Sequence, residues 1–317
     1  MPNMNLLKIA QLNGSEADIG LIEDVLTQVP ELAVFAADVV AGTSYKTVTR
    51  TSLPPTGFRT ANEGIASGSS VFKSELIEMY IVDGQLEMDK RVAEADSKGV
   101  AHVLGIEASG VALSAMITLA NQLYYGVSAD AKGFPGLKAF SPFGGAQTTN
   151  AAGTTASTAS SVFAVKFGTQ DARMLWGGNT ALTLGEWRIQ QLKDANSNPY
   201  TGFVNDLGGW AGLQLGNQYC VSRIANLTED SGKGLTEDLV HDMLGDVPVA
   251  KKPDAIFMSR RSMKQLRQSM APSIVLQSTS LGGLAVSESA AKAQIEESTG
   301  VTVIVSDSIV NTDAIES

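Results

Sequence analysis

The most regular apolar pattern in the chain lies between Leu86 and Tyr125. Its apolar residues recur at steps of three, four or multiples of these, the repeat of one helix face: Val92, Val103, Ile106, Leu113, Ile117, Ala120 and Tyr124. The pattern predicts one long amphipathic helix, which at about 1.5 Å per residue would span roughly 60 Å. Because Gly99, Gly105 and Gly110 each disfavour a helix by about 1 kcal/mol, two shorter helices remain an alternative.

A membrane span is not expected in this segment. Lys98, His102 and Glu107 interrupt the apolar run, so no charge-free window reaches ~18 apolar residues. Small residues are frequent instead, and they predict close packing against another backbone: Gly105, Ala108, Gly110, Ala112 and Ala115.

Two segments of strand composition precede the helix. Residues 43–53 are rich in Thr, Val and Tyr, and residues 71–83 are rich in Ile, Val, Phe and Tyr. Residues 53–70 carry Pro, Gly and Ser and are too long for a tight hairpin. We expect a long two-stranded excursion with a loose tip. A two-stranded ribbon by itself is only marginally stable in water. Because apolar residues lie on both of its faces, we expect a neighbouring subunit to pack against it. The alternative is that the two strands belong to a larger sheet of the same chain.

The N-terminal segment predicts a short helix. Ser15 to Asp18 have the spacing of a capping box, apolar residues follow, and Pro30 should end the helix. Residues 30–40 suggest a short strand or buried turn. Residues 126–161, rich in Gly, Ala, Thr and Ser, predict a surface loop or linker.

The second half of the chain changes from strands to an alternation of helices and strands. Residues 161–227 predict a mostly β region with hairpin-like returns. Thr236 and Ser259 are expected to cap two helices, of which the second should end at Pro272. Residues 254–258 and 300–307 predict buried strands, so this last part should be a compact α/β layer.

Composition and charge exclude some classes of function. The chain has 317 residues, 44% of them hydrophobic, which is enough for a real core. A net charge of −10 argues against a protein that mainly grips nucleic acid. The lone Cys220 cannot form an internal disulfide and should be a buried small hydrophobe. The N-terminus lacks the long apolar run of a secretory signal, so we expect the protein to remain where it is translated.

No motif for catalysis, metal or cofactor binding is present in the sequence. His102 and His241 are the only histidines, and zinc-binding or nucleophile-elbow patterns are absent. Residues 231–234 only superficially match a phosphate loop. The acidic clusters fit helix N-termini or solvated faces better than a cation site, and the basic cluster at residues 260–267 should meet an acidic neighbour. We therefore predict no enzyme and no cofactor.

The order of elements resembles the major capsid protein family of tailed bacteriophages, a fold shared with herpesvirus capsids and encapsulin shells. The likeness rests on residues 43–64 leading into residues 71–95, on the helix to Tyr125 with the following Gly-Phe-Pro-Gly-Leu, and on residues 252–268 and 301–309. It implies an α+β fold of the Hong Kong phage type, with an N-terminal arm, an extended β-loop, a long spine helix, a β-rich peripheral domain and an α/β axial domain. The expected boundaries are 1–42 for the arm, 43–84 for the loop, 85–227 for the spine and peripheral domain, and 228–317 for the axial domain.

The resemblance also implies a function and partners. The protein would self-assemble as hexamers and pentamers into an icosahedral head around the phage double-stranded DNA, held by weak non-specific contact. It would assemble in the host bacterial cytoplasm, with a separate scaffolding protein, a portal and, as an optional further partner, a cement protein, and it would reside in the virion. In the extended loop, Arg50, Phe58, Arg59 and Lys73 would contact an adjacent subunit.

Two other functions remain open at this point. An encapsulin-type bacterial shell shares the fold but encloses an enzyme, and it would co-purify with a cargo protein. A hydrolase or ligand-binding protein with an unrecognised site would be monomeric and contain a deep pocket.

Overall fold

The structure, a computed structural model, describes residues 27, 29–35, 37–277 and 288–317. Its strands, in chain order, are β1 Ala37–Val39, β2 Ser44–Ser52, β3 Val71–Glu78, β4 Tyr80–Asp89, β5 Thr148–Asn150, β6 Ser160–Val165, β7 Ala172–Gly177, β8 Thr183–Leu184, β9 Arg188–Lys193, β10 Pro199–Leu215, β11 Val221–Leu227, β12 Ala255–Met258 and β13 Thr302–Val305.

Helices separate these strands at both ends of the chain and in its middle. They are α1 Pro30–Val34, α2 Lys90–Ala93, α3 Val100–Tyr125, α4 Leu137–Phe140, α5 Glu237–Gly245, α6 Arg260–Gln277 and α7 Glu288–Thr299. Helix α3 is by far the longest, and its 26 residues span about 39 Å at 1.5 Å per residue.

A six-stranded sheet is built around the long strand β10. Its order is β1-β7-β10-β4, and the short strands β8 and β9 also pair with β10. Strand β4 runs antiparallel to β10 from Tyr80, opposite Ala211, to Asp89, opposite Gly202. Strand β1 adds in parallel to β7. Strand β1, which precedes β2 and β3, therefore belongs to the same sheet as strand β4, which follows them.

A five-stranded sheet has the order β13-β12-β6-β11-β5. Every residue of β6, β11 and β12 is buried. Because successive side chains of a strand point to opposite faces, these strands serve two cores. Phe163 and Phe257 pack with Tyr124 of α3 on one face. On the other face, Val162 and Ile256 belong to a core built with α5, α6 and α7.

The long helix begins later than the sequence pattern predicts. Residues Leu86 to Asp89 belong to β4, where Leu86 and Met88 are buried. The Asp89 carboxylate accepts a hydrogen bond from the Arg91 backbone N–H and starts the one-turn helix α2. Gly99, with a φ of 94°, then sets the N-terminus of α3. The prediction of one helix from Leu86 is therefore wrong in its first part, because pairing with β10 overrides the helical repeat there.

Several smaller predictions are also corrected. Pro30 begins helix α1, in keeping with the preference of proline for the first helical position, so residues 30–34 are helical where a short strand or buried turn was expected. Helix α6 continues past Pro272 to Gln277. Residues 126–161 do not form a surface linker, because Phe134, Leu137 and Ala159 are buried.

Other sequence predictions are confirmed. The Thr236 hydroxyl accepts a hydrogen bond from the Leu239 N–H and caps α5, and the Ser259 hydroxyl accepts one from the Ser262 N–H at the start of α6. The strands predicted in residues 254–258 and 300–307 are β12 and β13. The helix predicted after Ser15 lies outside the described residues, and helix α7 was not predicted.

Strand pairing crosses the expected domain boundary between residues 227 and 228. Strands β6 and β11 precede this point, yet both lie in one sheet with β12, which follows it. Residue 227 therefore does not separate the two sheets along the chain. The chain enters the five-stranded sheet with β5 and β6, returns to the six-stranded sheet with β7 to β10, and enters the five-stranded sheet again with β11.

The segment Val100–Ser128 is long and apolar enough, by length and composition alone, to cross a membrane. Core helices of soluble proteins pass the same test. Its C-terminal end is buried in the core around Tyr124 and Phe163, whereas Met116 near its middle is exposed. The prediction of a purely amphipathic helix is too simple, since this helix leaves apolar side chains uncovered within its own chain.

Candidate functional site in the extended loop

Strands β2 and β3 form a two-stranded sheet of their own, as the composition of residues 43–53 and of the first part of residues 71–83 predicts. Residues 80–83, expected in the same strand, belong instead to β4 of the six-stranded sheet. They run antiparallel, with Ser44 opposite Glu78 and Arg50 opposite Phe72. The register shifts between Arg50 and Ser52, where one extra residue stands in β2. We call β2, β3 and the connecting residues 53–70 the extended loop.

The two faces of this ribbon differ in their surroundings. One face is exposed along its whole length, and we call it the outer face: Lys46, Val48, Arg50, Phe72, Ser74 and Leu76. The residues on the opposite, inner face that belong to β2 are half-buried: Tyr45, Thr47 and Thr49. The ribbon therefore has one side against its own chain and one side without a cover.

The outer face combines apolar side chains with positive charge. Val48, Phe72 and Leu76 are each about 60% exposed. The guanidinium of Arg50 lies over the Phe72 ring, 5.5 Å from its centroid. Exposed apolar patches of this kind mark surfaces that bind another protein.

The inner face contacts the rest of the chain at two points along β2. The Thr49 hydroxyl donates a hydrogen bond to the Gly216 carbonyl oxygen at 3.1 Å. Arg173 of β7 lies over the Tyr45 ring at 5.4 Å and pairs with Asp38 of β1. A groove of about 650 Å³, lined by β2 residues of both faces and by Phe72, separates this edge of the ribbon from the end of β10.

The tip of the loop is ordered by a local turn. Arg59 donates to the Glu63 carbonyl oxygen at 2.9 Å, and the Thr60 hydroxyl donates to the Glu63 carboxylate at 2.5 Å. The hydrogen bonds from Thr60 hold the pKa of Glu63 below its ordinary value. Phe58, next to this turn, is completely exposed.

The four residues expected at a subunit contact occupy three parts of the loop. Arg50 lies on the outer face, whereas Lys73, opposite Thr49, lies on the inner face. Phe58 and Arg59 lie at the tip. The structure thus brings Phe58 and Arg59 together and separates Arg50 from Lys73, because neighbouring positions of a strand point to opposite sides.

Sequence reasoning missed a groove along the edge of β3 that does not pair with β2. It holds about 220 Å³ and is lined by β3 from Glu75 to Glu78 and by the segment Phe134–Phe140, together with Tyr80, Leu213 and Leu215. The groove is not visible in the sequence, because it is formed by segments that are distant along the chain. The one local signal is the apolar pair Phe134-Pro135 within a Gly-rich tract.

The remaining chemistry of the described residues is structural. No group of three or more His, Cys, Asp or Glu that could hold a metal occurs among them. His102 contacts the buried Asp96 carboxylate at 2.9 Å, and His241 lies 3.7 Å from Glu237 on the same helix. Cys220 is buried as predicted, and burial raises the pKa of its thiol to about 12.

Comparison with solved structures identifies the fold. A bacteriophage Epsilon15 structure matches with a TM-score of 0.70 at 17% identity, over 99% of this chain and 97% of that one. The bacteriophage JBD30 capsid matches at 0.49 and 11% identity, covering 96% and 99%. The SrpI encapsulin of Synechococcus elongatus PCC 7942 matches at 0.47 and 7%, covering 72% and 97%. No curated protein matches the chain in sequence.

The Epsilon15 match confirms the expected α+β fold of the tailed-phage capsid type. A family model, described as major capsid protein GP7, matches residues 16–315. This match spans nearly the whole chain, including the extended loop, helix α3 and both sheets. The chain therefore belongs to the major capsid protein GP7 family, whose members are structural proteins of the tailed-phage head and components of the virion.

Proposed function

We propose that this capsid protein assembles as hexamers and pentamers into an icosahedral head around double-stranded DNA, and that the extended loop of each subunit lies over an adjacent subunit. The observation that carries the proposal is the outer face of the loop, where Val48, Phe72 and Leu76 stay exposed in the single chain. At roughly 25 cal/mol per Å² of apolar area, covering this face stabilises an assembly.

The net charge of the chain is more consistent with a protein that encloses DNA than with one that binds DNA tightly. A net charge of −10 keeps contact with packaged DNA weak and non-specific, since tight phosphate binding requires concentrated Lys and Arg. We further propose assembly in the host bacterial cytoplasm with a separate scaffolding protein, a portal and, as an optional further partner, a cement protein, as the family resemblance implies.

We also propose a division of the chain by sheet instead of by sequence position. The six-stranded sheet with the loop would form the peripheral part, and the five-stranded sheet with α5, α6 and α7 the axial part. Helix α3 would connect them, because its C-terminal residues Tyr124 and Tyr125 contribute to the core beside β6 and β12.

Deletion of residues 56–70 tests the role of the loop. The tip makes few contacts with the rest of the chain, so the variant should remain folded and soluble but form no shells in electron microscopy, with or without scaffolding protein. A matched control replaces the same residues by a Gly/Ser segment of equal length, which keeps the strands connected and removes only the tip side chains.

Normal particles from the deletion variant would contradict the proposed role of the loop. Particles from the unaltered protein that contain a co-purifying cargo protein in place of DNA would instead support the encapsulin alternative. A protein that stays monomeric at high concentration, with scaffolding protein present, would contradict the assembly itself.

A further inference from the structure

The groove beside β3 has the features of a receptor for an apolar side chain. Phe134 and Leu213 form a buried floor. Tyr80, Phe140 and Leu215 are partly buried and belong to the same wall. A concave apolar site on a protein surface is a typical anchor point for a single large side chain.

The rim of this groove is acidic. Glu75 and Glu78 border it and are exposed. Neither carboxylate has an ion-pair partner within residues 37–277 or the other described parts of the chain. An apolar pocket with two uncompensated carboxylates at its edge suits a ligand that has an apolar group next to a cation.

The loop tip presents this combination. Phe58 is completely exposed, and the next residue is Arg59, whose only hydrogen bond among the described residues goes to the Glu63 carbonyl oxygen. Among the residues that the structure describes, none covers this phenyl ring. Aromatic side chains and Arg are the residue types that most often dominate binding at protein interfaces.

The tip cannot enter the groove of its own subunit. The groove lies at the base of β3, between Glu75 and Glu78, whereas Phe58 lies beyond the other end of the ribbon. Strand β2 has nine residues, which at about 3.3 Å each separate base and tip by roughly 30 Å. Phe58 is completely exposed and does not fill this groove in its own subunit, so the matching tip is that of a second copy.

We propose that Phe58 of one subunit inserts into the groove at the base of β3 of the next, with the Arg59 guanidinium at the acidic rim, to which Glu75 and Glu78 contribute from opposite faces of β3. This inference rests on the proposed position of the loop over an adjacent subunit and names the contact that fixes it. Tip and groove are different surfaces, so the contact is head-to-tail. Contacts of this kind close into rings when the rotation between copies allows it.

A charge exchange tests the contact. Phe58→Ala should raise the protein concentration needed for assembly tenfold or more, as loss of a buried aromatic side chain implies. The single variant Arg59→Glu and the double variant Glu75→Lys/Glu78→Lys should each impair assembly. The triple variant that combines these changes should restore assembly, because the charges then attract again with their signs reversed. Lys193→Glu, an exposed cation change in β9, is the matched control.

A disulfide test locates the occupant. Phe58→Cys together with Ala139→Cys, which lines the groove, should give a ladder of cross-linked multimers on a non-reducing gel of oxidised shells. The buried Cys220 should not interfere. Cross-linking within single chains would overturn the proposal.

The experiments distinguish a failure of the proposed Phe58 contact from a failure of the proposed role of the loop. If Phe58→Ala and Arg59→Glu assemble like the unaltered protein while the deletion of residues 56–70 does not, the loop is needed but the contact proposed here is wrong. If the deletion variant also assembles normally, the proposed role of the loop is wrong as well. Circular dichroism and thermal unfolding of each variant exclude a folding defect as the cause.

Discussion

Arg223 and Glu316 form an ion pair at 2.5 Å in which the guanidinium is almost completely buried. Arg223 lies in the middle of β11, and Glu316 belongs to the segment that follows β13. Lys138 approaches the same carboxylate at 2.9 Å. The Asn226 amide donates to the Glu316 carbonyl oxygen at 2.8 Å and its carbonyl accepts from the Glu316 N–H at 2.9 Å. These contacts hold residues 313–317 against the five-stranded sheet.

Glu316→Ala should lower the free energy of unfolding by about 3 kcal/mol, because it leaves the Arg223 charge buried without its partner. Chemical denaturation monitored by tryptophan fluorescence measures this change. Glu297→Ala, which alters an exposed carboxylate of α7, is the control and should have an effect below about 0.5 kcal/mol. An equal effect of both variants would contradict a special role for the pair.

Acid should weaken the same contact. Burial acts to raise the pKa of Glu316, but the hydrogen bonds and charges of Arg223 and Lys138 outweigh it and place the pKa below the ordinary value. The stabilisation is therefore present above the pKa of the unfolded chain and is lost as pH falls through the lower folded value. The difference in stability between the unaltered protein and Glu316→Ala should shrink as the pH is lowered toward 3.

Glu31 of helix α1 should have the opposite pH dependence. Its side chain is fully buried, and the Ser306 hydroxyl donates to one carboxylate oxygen at 3.0 Å. Burial raises its pKa above the ordinary value of 4.5, and the nearby Asp307 adds to this, although the hydroxyl groups of Ser308 and Ser306 oppose it. Tyr124 is the titratable group that faces Glu31 from α3.

Because Glu31 holds its proton more tightly in the folded state, its contribution is complete below the pKa of the unfolded chain and is lost as pH rises through the folded value. Glu31→Gln should therefore gain stability relative to the unaltered protein as the pH rises above the ordinary value of 4.5 toward the raised folded value. Thermal unfolding of both proteins across this range measures the difference. A difference that does not change with pH would contradict the assignment.

Gly105 and Gly110 in the long helix differ from Gly126, which follows its last residue, in the space available for a side chain. A Cβ built on Gly105 or Gly110 meets no atom within 4 Å. Gly105→Ala should raise the free energy of unfolding by about 0.5–1 kcal/mol, because alanine favours the helix. Gly126 has a φ of 54°, and its Cβ would lie 2.1 Å from the Gly136 nitrogen, so Gly126→Ala should destabilise the subunit.

Urea denaturation of the soluble subunit measures both effects. If Gly105→Ala stabilises the subunit yet reduces shell formation, another backbone packs closely against this face in the assembly, as the small residues of the helix predict. A destabilised Gly105→Ala subunit would show that the face is already occupied within the chain.

Asp230 should control the order of the segment before β6. Its carboxylate accepts hydrogen bonds from the backbone N–H groups of Thr154 and Thr155 and from the hydroxyls of Thr155 and Thr228. The hydrogen bond from the Thr155 hydroxyl is the main cause that places the pKa of Asp230 well below its ordinary value. Asp230→Ala should speed hydrogen exchange at residues 154–155, measured by mass spectrometry. Exchange unchanged from the parent protein would contradict this role.

The sequence by itself determined the features that depend on neighbouring residues. The caps at Thr236 and Ser259, the buried strands β12 and β13 and the two strands of the extended loop all follow from local composition and spacing. The helix from Val100 to Tyr125 follows from the apolar repeat. The resemblance to phage capsid proteins, confirmed by the family match, rested on the order of these elements along the chain.

Only the tertiary structure decided which strands share a sheet and where the surfaces meet. Leu86 and Met88 lie in the segment predicted as helix, and they form strand because β10 provides backbone partners and a buried face for them. Strands β6 and β11 joined β12 across more than 25 residues of intervening sequence. The groove at the base of β3 likewise unites residues near 77, 137 and 213. Local patterns carry no information about such contacts, because hydrogen bonding and burial are completed by segments that are close in space and distant along the chain.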